Sequence, residues 1–300
     1  MLLNNVEAVR DKKSSTYFFT LGLLLSMFSW GISWSSGKVL SEYADASTVS
    51  LFRFTLTFVS LLVLLLLSRQ TIVIHNKSFG TLFISILLMT AYGYLFFKGL
   101  RLGKAGAGGV LVTTINPVIS YGIALIRTKR LPDRNETIGI LLGLIACIIL
   151  LHVWNDWYAV FSIGNSYFLL SAFVWALLSI FTSKSSQFGS PVAFSLWLYG
   201  GCSVVMLLFT DTNECLRLAS QRDMIFWANL FFSATITTAL ATTFYFVATT
   251  KLGANKASSY ILLVPVFAAI GSWIFLQEIP EWYTICGGLI GILAVYILNK

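Results

Sequence analysis

The sequence predicts an all-α integral membrane protein, with ten transmembrane helices built as two inverted five-helix repeats. Three observations predict it. Of 300 residues, 57% are hydrophobic and only 11% charged, whereas a soluble domain carries about a quarter charged residues. Apolar stretches recur along the whole chain, each near the about 20 residues that cross a hydrocarbon core roughly 30 Å thick. The chain also matches itself when displaced by 148 positions.

The apolar runs fall at about 17–37, 47–68, 79–97, 105–126, 137–153, 163–183, 191–210, 224–250, 257–277 and 282–298, and only the second holds a formal charge, Arg53. Residues 1–16 read as a polar N-terminal tail, 17–156 as the first repeat and 163–300 as the second. Connections such as 38–46 and 279–281 are too short for a soluble domain. The first run is as long as a full span, so it reads as a retained span rather than a signal peptide.

A net charge of +8 with pI near 9.4 does not imply nucleic acid, because the basic residues form no patch interleaved with aromatics on a soluble module. They sit between the apolar runs. With the N-terminus inside, 13 Lys and Arg face the cytoplasm and six the opposite side, so both termini are expected to be cytoplasmic. The loop with Lys98, Arg101 and Lys104 runs against that rule. Cys147, Cys202, Cys215 and Cys286 are scattered and imply neither a disulfide framework nor a metal site.

At a displacement of 148, residues 117–150 lie over 265–298 without a gap, and 10 of 34 pairs are identical. The chain has five prolines, and four fall in the pairs Pro117/Pro265 and Pro132/Pro280. A weaker match at 145 pairs Leu24, Leu25, Ser26 and Trp30 with Leu169, Leu170, Ser171 and Trp175. Five spans per copy is odd, so the second copy must enter the bilayer from the other face. Such inverted repeats let secondary transporters exchange conformations about a midplane site.

Pro117 and Pro265 fall inside the fourth and ninth spans, where a missing N–H and a bulky ring favour a kink. They are the expected hinges, the bland alternative being static kinks. Gly139/Gly143 and Gly287/Gly291 have GxxxG spacing, so spans five and ten are expected to pack closely, within the protein or across a homodimer interface. Trp30, Trp34, Tyr92, Asn116, Trp175 and Tyr260 are the expected lining of a cavity among spans one, three, four, six, eight and nine. Aromatic walls suit apolar, aromatic or quaternary-ammonium solutes, and packing is the competing explanation for each ring.

Every carboxylate lies at a span end or in a loop, so no buried acid relay is evident. Arg53 sits about 9 Å from the end of its span, close enough to snorkel, with anion contact the second reading. No phosphate loop, metal-ligand spacing or nucleophile motif stands out. No enzymatic chemistry and no cofactor are therefore expected.

Phe28-Ser-Trp-Gly31, Leu51-Phe-Arg-Phe54, Ser171-Ala-Phe-Val-Trp175 and Pro265 followed by Gln277-Glu278 and Gly287 to Gly291 give the chain its resemblance to the drug/metabolite transporter superfamily, EamA type. The resemblance implies alternating access through a central cavity in a bacterial inner membrane, often for export of amino acids or other metabolites. One departure is visible: the family's acid after the proline helix is present as Glu278, but Arg130 occupies the equivalent first-half position. The partners expected are a small-molecule solute and lipid. Uptake of a quaternary amine such as choline is the second transport reading, and a membrane assembly or lipid-handling protein the alternative from another class.

Overall fold

The computed structural model describes residues 2–154, 162–252 and 260–298, and every described element is helical. The helices are α1 (Leu2–Leu40), α2 (Ala46–Leu67), α3 (Phe79–Leu102), α4 (Ala105–Thr128), α5 (Arg134–Leu150), α6 (Ile163–Thr182), α7 (Pro191–Leu207), α8 (Thr212–Ala219) and α9 (Met224–Phe231). A π-helical stretch, Phe232–Ala241, leads into α10 (Thr242–Leu252), and a 3₁₀ turn, Tyr260–Leu263, leads into α11 (Val264–Leu276) and α12 (Trp282–Leu298). Six of the described helical segments are long and apolar enough to cross a membrane, and three shorter apolar helices accompany them. The protein is a multi-pass membrane protein. The expected boundary at residue 156 and the basic Lys256 lie outside the described residues.

Three elements differ from the sequence expectation. α1 begins at Leu2, so the expected polar tail continues the first helix. The connection before residue 224 contains α8, an eight-residue helix capped by the Asp211 side chain, which accepts from the Asn213 N–H. The eighth span carries ten residues of π-helix, a form usually restricted to single turns and frequent at functional sites. Hydroxyls secure that stretch: Thr238 and Thr242 donate to carbonyls five residues back, Thr57 of α2 donates to Ala234 O, and Thr237 donates to Ser29 O of α1.

With no hydrophobic drive to pair helices in lipid, close approach depends on small residues. α5 and α12 form the most extensive interface. A Cβ at Gly139 would lie 2.6 Å from the Leu298 side chain, and one at Gly287 would lie 2.7 Å from Leu150. The other glycine of each pair faces α4, Gly143 against Val118 and Gly291 against Thr114. The four glycines thus pack helices within one chain. Elsewhere α3 packs on α6 as the π stretch packs on α1, and α4 meets α6 as α11 meets α1.

The two prolines are placed differently. Pro117 lies within an unbroken α4, but Pro265 is the second residue of α11, where a helix tolerates proline without losing a hydrogen bond. The expected kink inside the ninth span is therefore a helix start after a 3₁₀ turn, because the segment before Val264 is not α-helical at Tyr260–Leu263.

Candidate functional site

Three of the six expected lining residues, Trp34, Tyr92 and Trp175, are joined by one chain of ring contacts. Tyr92 of α3 lies 4.7 Å from Trp175 of α6 and 5.8 Å from Phe96 (ring centroids), and Phe96 lies 4.9 Å from Trp34 of α1. Trp34 is buried and also packs edge-on against Phe168, so it is a core residue rather than an open wall. The Asn116 amide donates to the Ala172 carbonyl at 3.1 Å, which ties α4 to α6. Trp30 and Tyr260 are elsewhere. Trp30 lies 5.4 Å from Tyr245 of α10, and the Tyr260 hydroxyl is 3.5 Å from Thr20 Oγ1.

Arg53 was expected to snorkel, and the structure turns it inward instead. Its Nη2 donates to Thr238 Oγ1 of the π stretch at 3.3 Å, and its guanidinium lies 5.4 Å and 5.8 Å from the ring centroids of Phe96 and Phe97. Tyr92 and Tyr199 are within its electrostatic reach. The aromatic chain therefore ends on a cation contributed by α2, with α7 beside it. Sequence reasoning placed neither helix at the site. The signal that could have found it is the single charge in an apolar run, since an intramembrane charge is a functional candidate by default.

One end of the bundle carries polar contacts between distant segments. Arg101 donates to Asp45 at 2.8 Å, Lys38 to Leu100 O at 2.7 Å, and Tyr43 to Asp223 at 2.5 Å. Glu214 of α8 accepts from the Asp45 N–H and the Thr48 hydroxyl. Lys104 pairs with Glu281 at 2.8 Å, and the Glu278 carboxylate accepts from the first two N–H groups of α4, Ala105 at 3.1 Å and Gly106 at 2.9 Å. Those N–H groups have no partner within the helix and carry the positive end of its dipole, so a carboxylate suits them. A small crevice beside this contact is lined by Lys104, Ala107, Glu278, Glu281 and Tyr283, none of them an expected binding residue.

Outside the spans these contacts set the proton affinities. The Tyr43 phenol is pushed up to about 12, first by its hydrogen bond to Asp223, and the Asp223 carboxyl is lowered by the same bond. Lys104 holds the Glu281 carboxyl below its ordinary range by donating to it. The first half lacks the Glu278 arrangement. There Arg130 forms a bidentate pair with Glu136 at 2.6 and 2.7 Å, and Glu136 also completes a capping box with Asp133 at the start of α5.

A bundle of apolar helices with aromatic rings and one arginine turned inward defines the class as a multi-pass membrane protein. The EamA-like transporter family matches residues 18–152 and again 162–300. The chain belongs to that family, and it is a membrane transporter. The uncharacterized transporter YoaV of Bacillus subtilis (strain 168) is 24% identical over 276 residues, covering 90% of this chain and 92% of that protein. A WAT1-related chloroplastic protein of Arabidopsis thaliana is 23% identical over 75% of this chain and 55% of its own length. One crystal structure superposes over 94% of this chain and 96% of its own with a TM-score of 0.62 at 13% identity, a likeness of fold alone.

Proposed function

We propose that the protein is a secondary transporter which exports a small organic metabolite or amino acid across a bacterial inner membrane by alternating access, with ten spans in two inverted repeats. The observation that carries this reading is a set of reciprocal contacts. Gly139 meets Leu298 while Gly287 meets Leu150, and each residue of one pair is the 148-position equivalent of a residue in the other. A contact made twice with the roles exchanged is the signature of a two-fold relation between two surfaces. The aromatic pairs repeat it: Trp30 with Tyr245 and Trp175 with Tyr92 join the first helix of one half to the third span of the other.

Two halves related in this way can exchange conformations, which opens a shared site to either side in turn. The contacts around Asp45, Lys104 and Glu278 hold one side shut. With the N-terminus in the cytoplasm, that side is extracytoplasmic. The cations that run against the charge rule support this orientation, because Lys98 and Arg101 pair with Asp45 and Lys104 with Glu281. The direction of flux rests on the family resemblance.

The test is exchange of labelled amino acids by the purified protein in liposomes, with Trp30→Ala and Trp175→Ala beside the native chain. Loss of exchange in both variants supports a shared path between the halves. Flux unchanged in both rejects the tryptophans as its walls, and no flux of any solute by the native protein rejects the transport reading.

A further inference from the structure

We propose that Arg53 is the anchor for a carboxylate on the transported solute, so the substrate class is a small carboxylic acid with an apolar or aromatic body. The inference rests on the transport reading above and narrows it. Arg53 is the only formal charge within the apolar runs, about 12 Å along α2 from Asp45 at 1.5 Å per residue. Its one described hydrogen bond is the 3.3 Å contact with Thr238 Oγ1, although a guanidinium carries five N–H donors in a planar fork.

No carboxylate among the described residues pairs with it, and those at the closed end are engaged elsewhere. Asp45 holds Arg101 and Lys98, Glu214 accepts from Thr48 and the Asp45 N–H, and Asp223 accepts from Tyr43. A cation removed from water without a counter-charge is costly, and a ligand carboxylate removes that cost while using the fork in a bidentate pair. Two buried hydroxyls on the neighbouring segments are also unpartnered. Ser50, three residues before Arg53 and so on the same face of α2, and Ser233, whose carbonyl accepts from Thr238, have side chains without a hydrogen-bond partner.

The rings beside the guanidinium decide the rest of the solute. Phe96 and Phe97 offer it their faces, which stabilises the cation while leaving its N–H edge free. Tyr92 carries the apolar surface on to Trp175. An acid with an apolar body fills both parts, and a quaternary amine would meet like charge.

The experiment uses the full chain in lipid nanodiscs. Binding is measured by thermal shift and calorimetry for L-phenylalanine, L-leucine and benzoate, each beside its amide, and for choline. The expected result is that carboxylates bind at least tenfold more tightly than their amides, that Arg53→Gln loses at least tenfold for the carboxylates, and that Arg53→Lys recovers part of the loss. Amides or choline binding as tightly as the acids, or Arg53→Gln retaining native affinity, overturns the inference. Should Arg53→Gln fail to fold by size-exclusion chromatography, the acid-versus-amide contrast in the native chain and Arg53→Lys decides. Liposome flux of the same labelled probes separates the two readings. Flux without preference for the acids sinks the anchor and leaves transport standing, whereas neither binding nor flux sinks both.

Discussion

Arg53 donates to Thr238 across the boundary between α2 and the π-helical stretch, the one described side-chain hydrogen bond of the sole charge in the apolar runs. Thr238 in turn donates to Ser233 O, five residues back. The guanidinium is thereby held to a backbone whose own hydrogen-bond pattern departs from the α-helix.

Thr238→Val keeps the volume and removes the acceptor. The net worth of such a bond is about 0.5–1.5 kcal/mol, so the apparent KM for the solute is expected to rise about twofold to tenfold. The amount of folded protein is expected to stay unchanged. Thr238→Ser should restore the native value in the same liposome assay, which a purely steric role would not predict.

The glycine contacts make a contrast within one chain. Gly287→Val places its first carbon 2.7 Å from Leu150, so overpacking should cost about 1–3 kcal/mol. Gly122→Ala, with nothing within 4 Å of the added carbon, should leave the melting temperature near native. Combining Gly287→Ala with Leu150→Ala should recover more stability than the two separate effects predict, because the residues touch.

Acid should loosen the closed end. Hydrogen bonding to Lys104 lowers the Glu281 carboxyl below its ordinary value of 4.5. A group whose pKa is lowered by folding contributes stability that is present above the ordinary value and lost as pH falls through the folded one. Melting temperature should therefore hold from neutrality to about pH 4.5 and fall below it. Glu281→Gln should be less stable than native near neutrality and show a shallower acid fall, and an identical pH profile would mean that the Lys104–Glu281 pair contributes nothing to stability.

Alkali should act on the same end through Tyr43. Its phenol is raised from 10.0 to about 12, so the contact with Asp223 contributes below pH 10 and is lost as pH rises through about 12. Ultraviolet titration of the native protein against Tyr43→Phe should show one phenolate missing from the high-pH step. Asp223→Asn should move that step down toward the ordinary value.

Much of the architecture is legible in the sequence because the bilayer imposes it locally. Twenty apolar residues must form a helix to satisfy their own backbone in lipid, which is why the windows around α2, α3, α4 and α6 could be read off directly. The GxxxG spacings of α5 and α12 could be read for the same reason, since spacing on one helix fixes which residues share a face. The site was legible only in pieces. Tyr92 and Trp175 do meet, and Trp34 reaches them through Phe96 as packing, but Asn116 bonds the Ala172 carbonyl and Trp30 pairs with Tyr245.

Composition and periodicity by themselves determined that the chain is a membrane-spanning bundle, and the paired prolines and glycines pointed to two related halves. Only the tertiary structure decided which way Arg53 turns, that Glu278 caps α4 from the far half, and that the eighth span is π-helical at its centre. The physical reason is the range of the interactions. Burial in lipid depends on a residue's own segment, whereas the direction of a long side chain and the partner of a carboxylate depend on helices more than a hundred residues away in sequence.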